Sequence, residues 1–339
     1  MLILGIETSC DETAAAVVRD GTEILSNMVV SQIDIFAEYG GVIPEVAARS
    51  HLEVVLPVID KALADAGCLW DDIDAIAVTH APGLLGSLLI GTLTARTLAI
   101  LHDKPLYAVH HLKSHVYANW ITDAAEFPIL ALVVSGGHTQ ILYMKGHNQF
   151  EIIGTTHDDA VGECFDKVAK ILGLPYPGGP SIAKAALSGD ANKYRLPHPK
   201  VEGLDFSFSG LKTAVLRAVQ KEVGVPISYP SHKLKELLTP EQVADFAASF
   251  QKTAVEILRE KIEMAMNLHP DVKSVVVAGG VSANTVLREA LPEAYFPAPS
   301  LSGDNGAMVA AACYFEVLSG AKPTDPYGLN IYPRIKIED

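Results

Sequence analysis

The chain has 339 residues, 49% of them hydrophobic, and is therefore long enough to bury the cores of two ordinary domains. Its formal net charge of −14 argues against a general nucleic-acid-binding protein. None of its four cysteines stands in a C-x-x-C pair, which argues against a disulfide scaffold or a zinc ribbon.

The chain begins with three predicted strands joined by tight turns, at residues 2–8, 14–18 and 23–30. The first of these segments lacks the basic region of a secretory signal, so we expect a soluble protein of the cytoplasm. The turn after the first strand carries Asp11 and Glu12. Their residue types alone leave two interpretations open, surface turn residues or polar catalytic groups.

A helix is predicted next, over residues 44–66, and it is followed by an apolar stretch at residues 75–95. This stretch has no charged residue, but Pro82, Gly83, Gly86 and Gly91 interrupt it. The interruptions favour a buried strand, a turn and a packed helix over a membrane span.

The segment 107–119 contains the motif HHLKSH at residues 110–115. If the segment is helical, His111 and His115 lie one turn apart on one face, where two imidazoles can share a metal. In the hydrolytic zinc motif H-E-x-x-H a glutamate follows the first histidine as general base, whereas Leu112 stands here. A metal at this pair would therefore hold a substrate rather than make hydroxide. A chance pair among twelve histidines remains the alternative.

The pattern of the first half recurs in the second. Strands are predicted at residues 129–135, 139–144 and 150–154, and a helix follows at 159–172. Each half then has a short apolar strand that runs into glycine, at 75–79 and at 274–278. A repeat with an offset of about 127 residues predicts two homologous α/β lobes.

Two such lobes facing a cleft resemble the duplicated actin-like ATPase (ASKHA) fold of sugar kinases, acetate kinases and Hsp70. We expect a first lobe at residues 1–127 and a second lobe at 128–303. A C-terminal helix at 304–320 should pack on the first lobe, and residues 321–339 should form a tail.

Two glycine-rich loops could approach an anion with their backbone N–H groups. One is the turn VSGGHT at residues 134–139, for which a plain hairpin turn is the alternative. The other is AGGVSAN at 278–284, which follows a buried strand and should open a helix. There Asn284 could bond a ribose or a base edge.

Several acidic residues stand at the starts of predicted helices. Asp304 could be the N-cap of the last helix, or the oxygen ligand that completes a two-histidine, one-carboxylate metal site. Asp158, Asp159 and Asp166 would suit hydroxyl recognition or capping.

The positive charge is concentrated between residues 184 and 235. Nine Lys or Arg residues and four acidic residues give this window a net charge of +5. The window could contact a phosphate backbone, with Lys193, Arg195 and Lys200 as the residues to test, or it could be an ordinary solvated face.

Seven motifs in order resemble one family, the bacterial tRNA threonylcarbamoyladenosine synthesis transferases of the TsaD (Gcp) type, once catalogued as O-sialoglycoprotein endopeptidases. The resemblance covers residues 2 to about 320. The motifs are GIETSCDETA (5–14), HHLKSH (110–115), VSGGHT (134–139), GECFDK (162–167), YPGG (176–179), FSFSGLK (206–212) and GGVSAN (279–284).

The resemblance implies a metal-dependent acyltransferase. It would move the threonylcarbamoyl group from threonylcarbamoyl-adenylate to the exocyclic amine of adenosine 37 in tRNAs that read codons starting with A, and release AMP. It also implies one divalent metal per subunit, iron or alternatively zinc, a paralogous actin-like subunit of the TsaB type and a P-loop ATPase of the TsaE type. A metallopeptidase and a non-catalytic actin-like scaffold are the alternatives.

The resemblance also implies roles for individual residues. Asp11 and Glu12 would act near the reacting centre. The metal ligands would be His111, His115 and Asp304. The adenylate would be bound by Val134, Ser135, Gly136, Gly137, His138, Asp166, Gly179 and Asn284.

Overall fold

A computed structural model describes residues 1–338 as two α/β lobes, each built on one mixed sheet. The strands are β1 Leu2–Glu7, β2 Glu12–Arg19, β3 Glu23–Ser31, β4 Ala75–Ala81, β5 Leu106–His110, β6 Ile129–Val134, β7 Thr139–Gly146, β8 Gln149–Thr155 and β9 Ser274–Ala278. The helices are α1 Ile33–Tyr39, α2 Pro44–Ala66, α3 Leu85–Leu101, α4 His111–Thr122, α5 Val161–Leu172, α6 Gly178–Ala186, α7 Ser209–Glu222, α8 Pro240–Leu268, α9 Thr285–Ala290 and α10 Gly306–Leu318.

The two sheets repeat one topology. The first has the order β3-β2-β1-β4-β5 and the second the order β8-β7-β6-β9. In each sheet three antiparallel strands are followed by a parallel partner of the first strand: Ile3 of β1 pairs with Ala75, and Ile129 of β6 pairs with Ser274. The predicted duplication is therefore present, although β5 has no counterpart among the described strands of the second sheet.

The central apolar core lies between the sheets and contains α4 and α10. It joins side chains of β1, such as Ile3, to side chains of β6 and β9, such as Ala131 and Val276. Separate cores on the outer faces lie under α2 and α3 in the first lobe and under α5, α7 and α8 in the second. Side chains from both sheets thus contribute to the central core. We call the surface of this core between the two lobes the floor.

Glycines bring α10 close to the first sheet. A Cβ on Gly5 would lie 2.2 Å from the Gly306 carbonyl oxygen, and a Cβ on Gly306 would lie 2.5 Å from the Ala16 nitrogen. Since real side chains cannot approach so closely, these two glycines set the distance between α10 and β1. This packing places the loop before α10 at the end of β1.

One predicted boundary was wrong, and one condition holds in part. In the segment 107–119 the first four residues belong to the parallel strand β5, but α4 begins at His111 and contains both His111 and His115. The helix predicted from residue 159 begins at Val161, since the Asp159 side chain pairs with lysines instead of capping it.

The residues from 333 to 338 contact both lobes. Gly83 N–H donates to the Pro333 carbonyl (3.3 Å), and Ile152 N–H donates to the Glu338 carboxylate (2.7 Å). Ile337 is buried in the central core. The segment expected to be a tail therefore packs on the fold as far as residue 338. Within residues 1–338 no helix has the length and apolar character needed to span a membrane.

Candidate active site

His111, His115 and Asp304 converge at the floor between the two lobes. His111 is the first residue of α4, and His115 follows one turn later, with ring centroids 4.6 Å apart. Asp304 lies in the loop before α10. Its Oδ1 atom is 3.1 Å from His115 Nε2 and 3.6 Å from His111 Nε2, and one ligand atom from each of the three residues lies within 4.8 Å of the others.

The chemistry of these donors fits a divalent metal. Both ring nitrogens of His115 are buried and lack a hydrogen-bond partner, although Nε2 faces the Asp304 carboxylate. Ligand atoms bound at about 2.0–2.2 Å to one ion lie roughly 3–4 Å from one another, which is close to the separations seen here. Two imidazoles and one carboxylate also leave coordination positions open for a substrate.

A buried carboxylate orients His111. His111 Nδ1 lies 3.1 Å from Glu7 Oε2 and 3.1 Å from the Ser9 hydroxyl, while the Thr79 hydroxyl donates to the same Glu7 oxygen at 2.7 Å. Burial opposes protonation of His111, but the carboxylates of Asp304 and Glu7 prevail and raise its pKa to about 9. The arrangement presents Nε2 toward Asp304.

The motifs in the sequence did not indicate the residues that orient His111. Glu7 and Thr79 are completely buried at the ends of β1 and β4, and Ser9 follows β1 directly. The signal was visible in the otherwise apolar strand LILGIE, because a carboxylate inside a buried strand must be paired with another group.

Asp304 is not the N-cap of α10. The capping residue is Asn305, whose side-chain oxygen accepts a hydrogen bond from Met308 N–H (3.0 Å). The capping interpretation of Asp304 was therefore wrong. Burial opposes ionisation of Asp304, but His111 and then His115 hold its pKa below the ordinary value.

Asp11 and Glu12 are not exposed turn residues. Asp11 is buried, and the Glu12 carboxylate accepts a hydrogen bond from the Ser31 hydroxyl (3.1 Å). Burial, with added repulsion from Asp304 and Asp11, raises the pKa of Glu12 to about 9. The pair therefore lies near the cluster of His111, His115 and Asp304, at the start of β2.

The turn after β6 faces the same region. Ser135 and His138 close it with two hydrogen bonds, from Ser135 N–H to the His138 carbonyl (2.9 Å) and from His138 N–H to the Ser135 hydroxyl (3.1 Å). Nothing lies within 4 Å of a Cβ built on Gly136 or Gly137, so their backbone borders open space. Burial, followed by repulsion from His111 and His115, lowers the pKa of His138 to about 4. Val134 differs because its side chain is fully buried, leaving only its backbone to contact a ligand.

Asp166 and Gly179 lie at a second wall of the site. Asp166 Oδ1 accepts a hydrogen bond from Gly178 N–H (2.6 Å), which fixes the start of α6, and a Cβ on Gly179 would meet open space. Burial and then the charges of Asp11 and Asp166 raise the pKa of Tyr176. The Tyr176 hydroxyl is therefore close enough to the first lobe for the charge of Asp11 to act on it.

Asn284 is already engaged. Its side-chain oxygen caps α9 by accepting from Leu287 N–H (3.1 Å), and its side-chain nitrogen donates to the Gln251 side chain (2.9 Å). The loop leads into a helix as predicted, but a 3₁₀ turn at Gly280–Ala283 stands between the strand and α9.

The other predicted acids are structural. Asp158 accepts hydrogen bonds from Ser207, Phe208 and Ser209 and so fixes the start of α7. The Asp159 carboxylate binds two lysines.

The basic loop singled out from the sequence is partly neutralised. Lys193 Nζ lies 3.3 Å from Asp245 Oδ2, whereas Arg195 and Lys200 are exposed. His198 faces Glu256 and Glu260 of α8.

Known proteins resemble the chain over nearly its whole length. Residues 23–311 match the family model of TsaD, tRNA N6-adenosine threonylcarbamoyltransferase. The enzyme of that name from Symbiobacterium thermophilum is 50% identical over 331 residues, which cover 95% of this chain and 93% of the relative. The one from Caldicellulosiruptor saccharolyticus is 46% identical over 346 residues, which cover 99% of this chain and 98% of the relative.

The fold resembles that of a protein of different function. The activator of the 2-hydroxyisocaproyl-CoA dehydratase from Clostridium difficile, solved with bound ADPNP, has a TM-score of 0.52 and 14% sequence identity, over 96% of this chain and 100% of that one. At this identity the likeness concerns the fold alone. The predicted duplicated actin-like fold is confirmed.

Proposed function

Because this chain belongs to the tRNA N6-adenosine threonylcarbamoyltransferase family, we propose that it transfers threonylcarbamoyl from threonylcarbamoyl-adenylate to the exocyclic amine of adenosine 37 in tRNAs reading codons that start with A. The N6 nitrogen forms a bond to the carbamoyl carbon, the bond from that carbon to the phosphate oxygen breaks, and AMP leaves. The proposed reaction takes place in the cytoplasm, where its tRNA substrate is found.

The observation that carries this proposal is the cluster of His111, His115 and Asp304, with Leu112 where a hydrolytic zinc site has its glutamate. We propose that these three residues hold one divalent metal, iron or alternatively zinc. When bound, the metal supplies Lewis-acid stabilisation for negative charge on the carbonyl and phosphate oxygens.

The residues around the cluster would bind and orient the adenylate. In this proposal the backbone of residues 134–138 binds phosphate, because Gly136 and Gly137 present N–H groups to open space. Gly179 lets the ligand approach α6, and Asp166 positions the 178–179 backbone. Since Asn284 already caps α9, we propose that it shapes the adenosine pocket together with Gln251.

The attacking amine must lose a proton during transfer. Asp11 and Glu12 lie beside the cluster. Because the raised pKa of Glu12 keeps this carboxyl protonated near neutral pH, we expect Asp11 to accept the proton and Glu12 to position the reacting groups. Burial of the site would also exclude water, which competes with the amine for the same carbonyl.

Two protein partners belong to the proposal, a paralogous actin-like subunit of the TsaB type and a P-loop ATPase of the TsaE type. An exposed apolar surface on α2 and α3 supports the first. Its leucines are 43–66% exposed. A group of exposed apolar side chains on neighbouring helices is typical of a surface that binds another protein. The leucines are Leu52, Leu56, Leu85, Leu89 and Leu93.

Replacement of both histidines tests the proposal against the two alternatives. His111→Ala/His115→Ala should abolish formation of threonylcarbamoyladenosine in the presence of partners, adenylate and tRNA. A scaffold would keep its full effect on product formation. A metallopeptidase would instead cleave glycoprotein substrates on its own in a chelator-sensitive way, which Leu112 argues against.

A further inference from the structure

A basic cavity lies in the second lobe, outside the site described above. It measures about 250 Å³ and is formed by α5, α7 and the 3₁₀ turn Ser231–Glu236. Its lining residues are three lysines, two residues with hydroxyl groups, one histidine and two aliphatic residues, and most of the lining surface is apolar. They are Lys167, Lys170, Ile171, Lys212, Thr213, Leu216, Ser231 and His232.

Two of the lysines share a single carboxylate. Lys167 Nζ and Lys212 Nζ lie 2.7 and 2.9 Å from the two oxygens of Asp159, and Lys167 is also 2.9 Å from Glu163. Lys170 is exposed and forms no ion pair within residues 1–338. Three ammonium groups therefore face two carboxylates, and the cavity keeps a net positive charge.

The surroundings add to this charge. Residues 209–236, which include α7 and the 3₁₀ turn, contain five Lys or Arg and two Glu, a net charge of +3. On a chain with a net charge of −14 this is a local positive surface, to which a polyanion is attracted.

Helix α5 connects the cavity to the active site. At its first turn Gly162 N–H donates to the Ser135 carbonyl (3.2 Å), and Asp166 then holds Gly178. Lys167 and Lys170 follow on the same helix. The eight steps along the helix from Gly162 to Lys170 correspond to a rise of about 12 Å. A polynucleotide with one base in the site could reach the cavity with a nearby phosphate.

We propose that this cavity binds a backbone phosphate of the tRNA whose adenosine occupies the active site. The inference rests on the proposed function and gives it a second anchoring point. Ammonium groups and hydroxyls are the donors that contact phosphates in most protein–nucleic acid complexes. The cavity fits this role better than the loop carrying Arg195 and Lys200. In the loop, Lys193 and His198 face three carboxylates, which match its three Lys or Arg charges, whereas the three lysines of the cavity face only two carboxylates.

The test compares two pairs of charge removals in the full chain. Lys170→Ala/Lys212→Ala removes two of the three lysine charges at the cavity. Arg195→Ala/Lys200→Ala removes two positive charges from the loop. Lys170→Ala alone, an exposed change, guards against misfolding of the double variant. The dissociation constant for unmodified tRNA is measured as a function of salt concentration.

We expect the cavity variants to bind tRNA more weakly, and the slope of log affinity against log salt to fall by about 0.7–0.9 for each lost phosphate contact. The loop variant should keep the wild-type slope. An unchanged slope in both cavity variants, or an equal loss in the loop variant, would overturn the proposal.

Two further arms identify the source of the phosphate. If inorganic phosphate binds at the cavity but the variants keep wild-type tRNA affinity, the cavity is a small-anion site and the proposal is wrong. It is also wrong if the variants lose only binding of the P-loop ATPase. Product formation by the wild type is measured separately. A protein with cavity-dependent tRNA binding but no product would disprove the proposed function and leave this inference standing.

Discussion

His111 is held at both ring nitrogens by acidic side chains. Glu7 and Ser9 lie at Nδ1, and Asp304 faces Nε2. A carboxylate on the outer nitrogen of a metal-binding histidine fixes its tautomer and ring orientation and raises its basicity. We therefore interpret Glu7 as a positioning residue that acts through His111.

Replacing Glu7 by glutamine tests this role. Glu7→Gln keeps the size of the side chain but removes its charge, and we expect metal affinity to fall by about 10–100-fold. Affinity is measured by competition with a chelator of known strength. Glu316→Gln, the same change at another buried carboxylate, is the control and should retain full affinity. Equal affinities for Glu7→Gln and the wild type would rule out the positioning role.

At the scale of the elements, two neighbouring residues at the start of α10 have different roles. Asn305 caps the helix, while the Asp304 side chain faces the histidines. The cluster of His111, His115 and Asp304 therefore depends on how α10 begins as well as on α4.

The two residues should respond oppositely to alanine. Asn305→Ala should lower the free energy of unfolding by about 1 kcal/mol, because the cap is lost, and leave the metal content of the folded protein near that of the wild type. Asp304→Ala should remove most of the metal and leave the stability of the metal-free protein nearly unchanged. Elemental analysis and denaturant unfolding of both variants, made metal-free for the stability measurement, decide the matter. Full metal content in Asp304→Ala would exclude it as a ligand.

The contact between α10 and α4 also contains a titrating group. Burial raises the pKa of Glu316 from 4.5 to about 7, and Lys113, 3.8 Å away, only partly opposes this. A carboxyl with a raised pKa in the folded state stabilises it fully below the unfolded pKa, and this stabilisation is lost as pH rises through the folded value. The nearby His110 has its pKa lowered to about 3 by burial and stays neutral in this range.

The free energy of unfolding of the wild type should therefore fall, relative to Glu316→Gln, between about pH 4.5 and about pH 7. Urea unfolding of both proteins across this range measures the difference. Parallel pH profiles would show that Glu316 does not titrate in the folded protein within this range.

At the scale of the whole molecule, the repeated strand pattern was sufficient to predict the fold. Hairpins followed by strands that run into glycine appear at matching positions in both halves, and the two sheets follow that order. The sequence could not show that β5 ends at His110, because a short apolar run directly before a helix has the same pattern as the first turn of that helix. Nor could it show that α6, α7 and α8 enlarge the second lobe, since these helices have no counterpart in the first repeat.

The site was predictable only in part, because its members are far apart in sequence. The spacing of His111 and His115 indicated a shared face, but contact with Asp304 depends on the packing of Gly5 against Gly306. The same packing fixes the start of α10 at Gly306, so that the preceding residue, Asn305, is the N-cap and Asp304 is not. The role of Glu7 depends on β1 lying beside β4, a contact that no local pattern shows.

Formation of the modified nucleoside is the most direct test of the proposed transferase activity. The purified protein is incubated with the two proposed partner proteins, threonylcarbamoyl-adenylate and unmodified tRNA, and the tRNA is digested to nucleosides for mass spectrometry. We expect threonylcarbamoyladenosine at position 37, together with an equal amount of released AMP. Consumption of the adenylate without modified adenosine, in a mixture where a known relative forms it, would disprove the proposed transferase activity.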